Sequence, residues 1–161
     1  MAILDYEAFA AGLPKRGALI GIDPGSTTIG VAASDATRTI ARPAKSVKRA
    51  KMAQDGAAIF AIFDNREACA FVVGHPLNMD GSKGPSSQSA RAFARNLLAI
   101  RDVPLLMWDE RLSTAAVLRQ MISADMTRNK RAAIVDAAAA SYMLQGLLDR
   151  LFSEMGKLPQ Q

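Results

Sequence analysis

Apolar positions along this chain alternate between a two-residue and a roughly 3.6-residue period, and the switches between them lay out a series of elements. Ala18 to Asp23 (Ala-Leu-Ile-Gly-Ile-Asp) is a short apolar run ending in a carboxylate and followed by Pro24-Gly25-Ser26, the pattern of a buried central strand opening into a tight turn. Thr28 to Ala33 then alternates, with Ile29, Val31 and Ala33 on one face, and a third extended stretch runs from Arg38 to Val47. Pro43 predicts that this third strand lies at a sheet edge, because proline cannot donate to a ladder. From Ala50 to Asn65 the apolar spacing predicts a helix, against which Gly56 counts. Cys69 to Val73 reads as the next buried strand, and Gly74 to Gly81, rich in Pro, Gly, Asn and Asp, as a loop.

Ser86 or Ser87 is placed to cap a helix that runs to Ile100 and turns Ala90, Phe93, Ala94, Leu97 and Leu98 inward. Pro104 to Trp108 is the last predicted strand. Ser113 or Thr114 can cap a helix through Met121, and a final helix spans Asn129 to Phe152 with Ala133, Ala137, Ala140, Leu144, Leu147 and Leu151 at near-heptad spacing. Three meandering strands followed by strand-helix units predict an α/β domain with a mixed sheet and helices on its faces. Residues 1–17 carry Ile3, Leu4, Phe9 and Leu13 in a short amphipathic pattern that Pro14-Lys15-Arg16-Gly17 ends, and read as an N-terminal extension outside the core. The domain itself is then 18–152, with 153–161 as a tail.

A chain of 161 residues, 50% hydrophobic, fits one domain with an ordinary core. Asp5 and Glu7 stand where a secretory signal carries positive charge, and apolar runs such as Ala57 to Phe63 fall far short of the ~18 residues that cross a membrane. The expected compartment is the cytoplasm. A single cysteine, Cys69, excludes an internal disulfide and reads as a packed core thiol. The net charge of +5 suits a polyphosphate partner, and the scarcity of aromatic residues argues against a stacking platform for single strands.

Three acids distant in sequence, Asp23, Glu110 and Asp136, can converge at the carboxyl ends of neighbouring strands, where open α/β sheets place their sites. Carboxylate oxygens suit Mg²⁺ or Mn²⁺, and two such ions about 3.5 to 4 Å apart can activate a water and stabilise the leaving oxygen of a phosphodiester. Each acid also has a plainer role open to it: Asp23 as a turn initiator, Glu110 as a partner of Arg111, Asp136 as an exposed helix residue. Asp109 and Asp35 compete for a place in the cluster, and since neighbours on a strand point oppositely, one of Asp109 and Glu110 ligates directly. Arg38, Arg42, Lys45, Lys48, Arg49 and Lys51 form either a phosphate-tracking stripe or an aggregation-blocking edge. Arg91 and Arg95 on one helix, and Arg128, Lys130 and Arg131 just before Asp136, are better placed to flank a cleft.

The segment Gly21-Ile22-Asp23-Pro24-Gly25-Ser26-Thr27-Thr28-Ile29-Gly30-Val31-Ala32 is followed by Val73-Gly74-His75-Pro76-Leu77-Asn78-Met79-Asp80-Gly81 and by Trp108-Asp109-Glu110-Arg111-Leu112-Ser113-Thr114. Val135-Asp136-Ala137-Ala138-Ala139-Ala140 completes a set that resembles the YqgF/RuvX family of pre-16S rRNA nucleases, also described as Holliday junction resolvases. The resemblance covers residues 18 to 150. It implies an RNase H-like fold, a five-stranded mixed sheet of order 3-2-1-4-5 with the first three strands antiparallel, and an acidic site at Asp23, Glu110 and Asp136. It implies a two-metal hydrolase that processes the 5′ end of pre-16S rRNA, acting on a structured RNA precursor or on branched DNA as a monomer or homodimer. Ser26, Thr27, Asn78 and Arg111 lie in the matched motifs and join Arg91, Arg95, Arg128, Lys130 and Arg131 as expected nucleic-acid contacts. His75 departs from the family's more usual residue before Pro76 and reads as a variable loop histidine, and Ala137 stands where many members carry Lys. The alternatives are a resolvase of four-way DNA, a non-catalytic binding factor in transcription or ribosome assembly, and an ATP binder, since Asp23-x-Gly25-Ser26-Thr27 also resembles the first phosphate loop of the actin and hexokinase group. That last group needs two copies of the unit, and this chain holds one.

Overall fold

In the computed structural model, which describes residues 3–25, 27–76, 84–109 and 128–155 (backbone alone at 86, 128–136 and 155), the Ala18–Pro24 run is strand β1 and is buried through Asp23. Burial on both faces explains why it reads as a continuous apolar run rather than an alternating one. It pairs antiparallel with β2 (Thr28–Ser34), which pairs antiparallel with β3 (Ala41–Lys48), and on its other side it pairs in parallel with β4 (Ala68–His75), itself parallel to β5 (Leu105–Asp109). The sheet order is β3-β2-β1-β4-β5, as the resemblance implied. Pro43 does sit in the edge strand, at a register shift that leaves Ala44 out of the ladder. This bulge interrupts the alternation that a continuous cationic stripe along β3 would need.

Two cores divide the helices between the faces of the sheet. α2 (Met52–Asn65) and α3 (Pro85–Ile100) cover one, packing Ile59, Phe60, Phe63, Phe93 and Leu97 on Ile20, Ile22, Phe71 and Val73. The other face takes α4 (Arg128–Met155) and α1 (Tyr6–Gly12), with Met143, Leu144, Leu147 and Phe9 against Leu19, Val72, Leu106 and Trp108. The inward side of α3 is as its spacing predicts, all five named residues being buried. Gly56 belongs in α2 because a Cβ there would come within 2.3 Å of Ile100 Cδ1. Gly21 likewise lets α4 approach β1, since a Cβ would stand 3.0 Å from Leu144 Cβ and 3.3 Å from the Ala140 carbonyl oxygen.

Several expectations change. The N-terminal segment precedes the sheet in sequence but joins it in packing: Phe9 is buried, and Leu4 donates to the Leu105 carbonyl (2.9 Å) and bridges to Leu106 along the outer edge of β5. β4 runs on through Gly74 and His75, so His75 is a buried strand residue and not a loop residue. α3 starts on Pro85 with Gly84 at the N-cap and no side-chain cap; Ser87 is turned inward. Proline at that position loses nothing, because the first amides of a helix have no intrahelical partner. Cys69 is only half-buried, tucked against Gly17 with its thiol donating to the Ala18 carbonyl (3.4 Å), and burial pushes its pKa up. The helix expected through Met121 lies outside the described residues. Far along α4, Gln145 accepts from the Ala41 amide (2.8 Å) and donates to the Thr39 carbonyl (3.1 Å), tying the helix to the β2–β3 hairpin.

Candidate active site

Side chains alternate along β1, and because Ile20 and Ile22 belong to the α2–α3 core, Asp23 points with Leu19 and Gly21 toward α4. It is 5% exposed. The turn that follows is held through its main chain: the Gly25 amide donates to the Asp23 carbonyl (3.0 Å), and the Arg49 guanidinium donates to the Gly25 carbonyl (2.6 Å) while its own amide donates to Thr27 (2.9 Å). The same guanidinium stacks over Phe93 at 5.5 Å. Arg49 was grouped with the edge cations by composition, yet it braces the turn that carries Asp23. Only the pairing of Thr28 with Lys48, which sets Arg49 beside Thr27, reveals this.

Asp23 stands one residue beyond the pair Ile22–Val73, level with Gly74, and Gly74 pairs with Trp108. Asp23, Gly74 and Trp108 thus form a row across β1, β4 and β5 on the α4 face. The next pair along, His75 and Asp109, faces the opposite way, toward α3, where His75 Nε2 lies 2.5 Å from Ser87 Oγ, both residues buried. Asp109 therefore sits on the far side of the sheet from Asp23. Asp35 is removed farther still: β2 runs antiparallel to β1, so its end lies at the opposite edge of the sheet. There its carboxylate accepts from the amides of Thr39 (2.8 Å) and Ile40 (3.0 Å) and from the Thr37 hydroxyl, and these bonds lower its pKa to about 2. It belongs to the hairpin and not to an acidic cluster.

α4 crosses the sheet antiparallel to β1, with Ala140 and Leu144 over Gly21 and Gln145 at the far hairpin. Asp136 lies one turn before Ala140 along the helix, toward the end of the sheet that holds Asp23. Ser26, Asn78, Glu110 and Arg111 lie outside the described residues, as do the side chains of Arg128, Lys130, Arg131 and Asp136. Thr27 is exposed beside the turn, and Arg91 and Arg95 project from α3. Among the described residues no three His, Cys, Asp or Glu side chains stand together to hold a metal. The donors that can do so are oxygens: the lone His75 faces the other side and Cys69 lies at the other end. That set fits a hard cation.

A family model described as RuvX, Holliday junction resolvase, matches residues 17–150. The chain belongs to the RuvX family. RuvX relatives named "Putative pre-16S rRNA nuclease" include one from Rhodospirillum rubrum, 53% identical over 152 residues covering 94% of each chain. Another, from Caulobacter vibrioides, is 49% identical over 94% of this chain and 98% of its own. Among solved structures, T. thermophilus RuvC in complex with Holliday junction substrate aligns at a TM-score of 0.52 and 15% identity, over 86% of this chain and 96% of that one. That likeness shows the fold of this RuvX chain to be RNase H-like.

Proposed function

We propose that this chain is a divalent-metal-dependent endonuclease that hydrolyses phosphodiesters and processes the 5′ end of pre-16S rRNA. The observation that carries the reading is Asp23, a buried carboxylate at the carboxyl end of the central strand, on the face that α4 crosses one turn from Asp136. Alternation along β5 counts against Asp109 and so favours Glu110 as the third ligand, because Asp109 shares a face with His75, away from Asp23. Asp23, Glu110 and Asp136 would hold Mg²⁺ or Mn²⁺, which would supply an activated water and charge stabilisation at the leaving oxygen. The chain's own part is positioning. Arg49 fixes the turn after Asp23, Thr27 presents a hydroxyl beside it, and Arg91, Arg95 and the basic first turn of α4 draw phosphates in.

The names of the relatives support the RNA substrate, and the cytoplasm is the compartment this reading implies. Among the described residues no helix is long and apolar enough to cross a membrane. The test is a substrate panel in Mg²⁺ or Mn²⁺, with a 5′-extended rRNA precursor and a four-way DNA junction offered to wild type and Asp23→Asn. Cleavage of the precursor alone, lost in the variant and in EDTA, is expected. Cleavage of the junction instead would favour the family's other description, and activity that survives both Asp23→Asn and EDTA would sink the metal-nuclease mechanism.

A further inference from the structure

Two cavities of about 390 and 330 Å³ share Ile3 and Arg91 in their walls and form one groove along the outer edge of β5. The N-terminal segment makes one wall and α3 the other. One end of the groove lies at His75, Trp108 and Asp109; the other runs past Arg95 and Leu98. Arg91 and Arg95, at i and i+4, stand about 5–6 Å apart at their Cβ atoms, a spacing commensurate with successive phosphates of an extended strand. Arg150 of α4 closes the sheet-end of the groove, its guanidinium 3.7 Å from the Tyr6 ring centroid and 5.8 Å from that of Trp108. Against these cations stand Asp5, which caps α1 through the Ala8 amide, and Asp109.

We propose that this groove is a second substrate subsite, which holds the unpaired strand flanking the cut; the proposal rests on the nuclease reading above. Three observations carry it. Its two parts, of about 390 and 330 Å³, have the volumes of pockets that take single small molecules, the scale of one nucleotide each. Its α3 wall is cationic, as a phosphate backbone requires. Its sheet-end is at Trp108, in the same row and on the same face as Asp23, two strands away at about 4.8 Å per strand, a distance that a few nucleotides of chain cover. Tyr6 and Trp108 are themselves covered by Arg150, so the flat surface offered to a base is the outer side of that half-exposed guanidinium.

Trp108 is the chain's only tryptophan and lies buried beneath Arg150 at the groove wall, so its fluorescence reports a ligand that engages that guanidinium. The experiment titrates the full chain, in EDTA so that no cleavage occurs, with an unstructured oligoribonucleotide of about six nucleotides, within the usual site size of a single-strand groove. Tryptophan emission and the anisotropy of a labelled oligonucleotide are read together at several salt concentrations. We expect a saturable change in Trp108 emission that tracks the anisotropy. In the double variant Arg91→Ala, Arg95→Ala the slope of log affinity against log salt should fall by about 1.4, at about 0.7 per single-strand phosphate contact. Arg95→Ala alone, at an exposed position, should remove about half of that. Binding seen by anisotropy with no change at Trp108, or an unaltered slope in the double variant, overturns the subsite. Failure of the nuclease reading shows up separately, as precursor cleavage that Asp23→Asn leaves intact.

Discussion

Two aspartates close two neighbouring strands of the same sheet, and because β1 and β2 are antiparallel they stand at opposite ends of it in different surroundings. At the Asp35 end the carboxylate is exposed but fully engaged by the hairpin, and the surroundings are equally saturated. Ser34 Oγ accepts from the Leu19 amide (2.9 Å) and donates to the Asp35 carbonyl (2.8 Å), while Arg38 donates to the carbonyls of Gly17 (2.9 Å) and Pro14 (2.5 Å). At the Asp23 end the carboxylate is buried, and Arg49 braces the main chain of the turn that follows it. Backbone amides aimed at a carboxylate turn it into a structural part. Amides and guanidinium aimed at the turn beside it fix where the carboxylate stands.

The sharpest way to break this contrast is to neutralise both acids. Asp23→Asn should lower cleavage about a thousandfold, the several kcal/mol of charge stabilisation a metal supplies, with the fold retained by circular dichroism. Asp35→Asn should leave cleavage at neutral pH unchanged; a comparable loss there would end the distinction. Arg49→Ala comes next. A bracing residue that acts through the turn should cost about 10- to 100-fold in activity, with kcat falling more than KM rises, and about 1 kcal/mol of stability by denaturant unfolding.

Gly21→Ala tests the approach of α4 to β1. The added Cβ meets the Leu144 Cβ and the Ala140 carbonyl, neither of which is the end of a flexible chain, so urea unfolding should show a loss of about 1–3 kcal/mol. The smallest effect is the acid dependence at Asp35. Its folded pKa of about 2 lies below the ordinary aspartate value, so its contribution is complete above about pH 4 and is lost as pH falls toward 2. Wild type and Asp35→Asn should therefore differ slightly in melting temperature at pH 5 and converge near pH 2.

Local pattern made the sheet legible. The apolar run before Asp23, the alternation in β2 and the edge proline placed three strands, and the inward face of α3 followed from its spacing. His75 was not legible, because Gly74 and Pro76 flank it with turn residues, and only pairing with β5 carries the strand on through Gly74 to His75. Ser87 looked like a cap for the same reason, when tertiary structure uses its hydroxyl against His75 and leaves the cap to Gly84. Arg49 needed the β2–β3 register. At the site, Asp23 was legible from the apolar run it ends and from the motif order, whereas the face on which Asp109 lies needed the pairing of β5 with β4.

α4 has 28 residues and, at 1.5 Å per residue, is a rod about 42 Å long. Gln145 pins it to the hairpin, and Asp136 lies nine residues back along the same rod, about 14 Å away. The hairpin around Asp35 is thus the zero mark of a ruler on which the acid of α4 is one graduation. Deleting a single residue between Gln145 and Asp136 would slide that mark by a residue's rise and turn it by about 100°. The end of the sheet away from Asp23 sets the scale for the end where we place the chemistry.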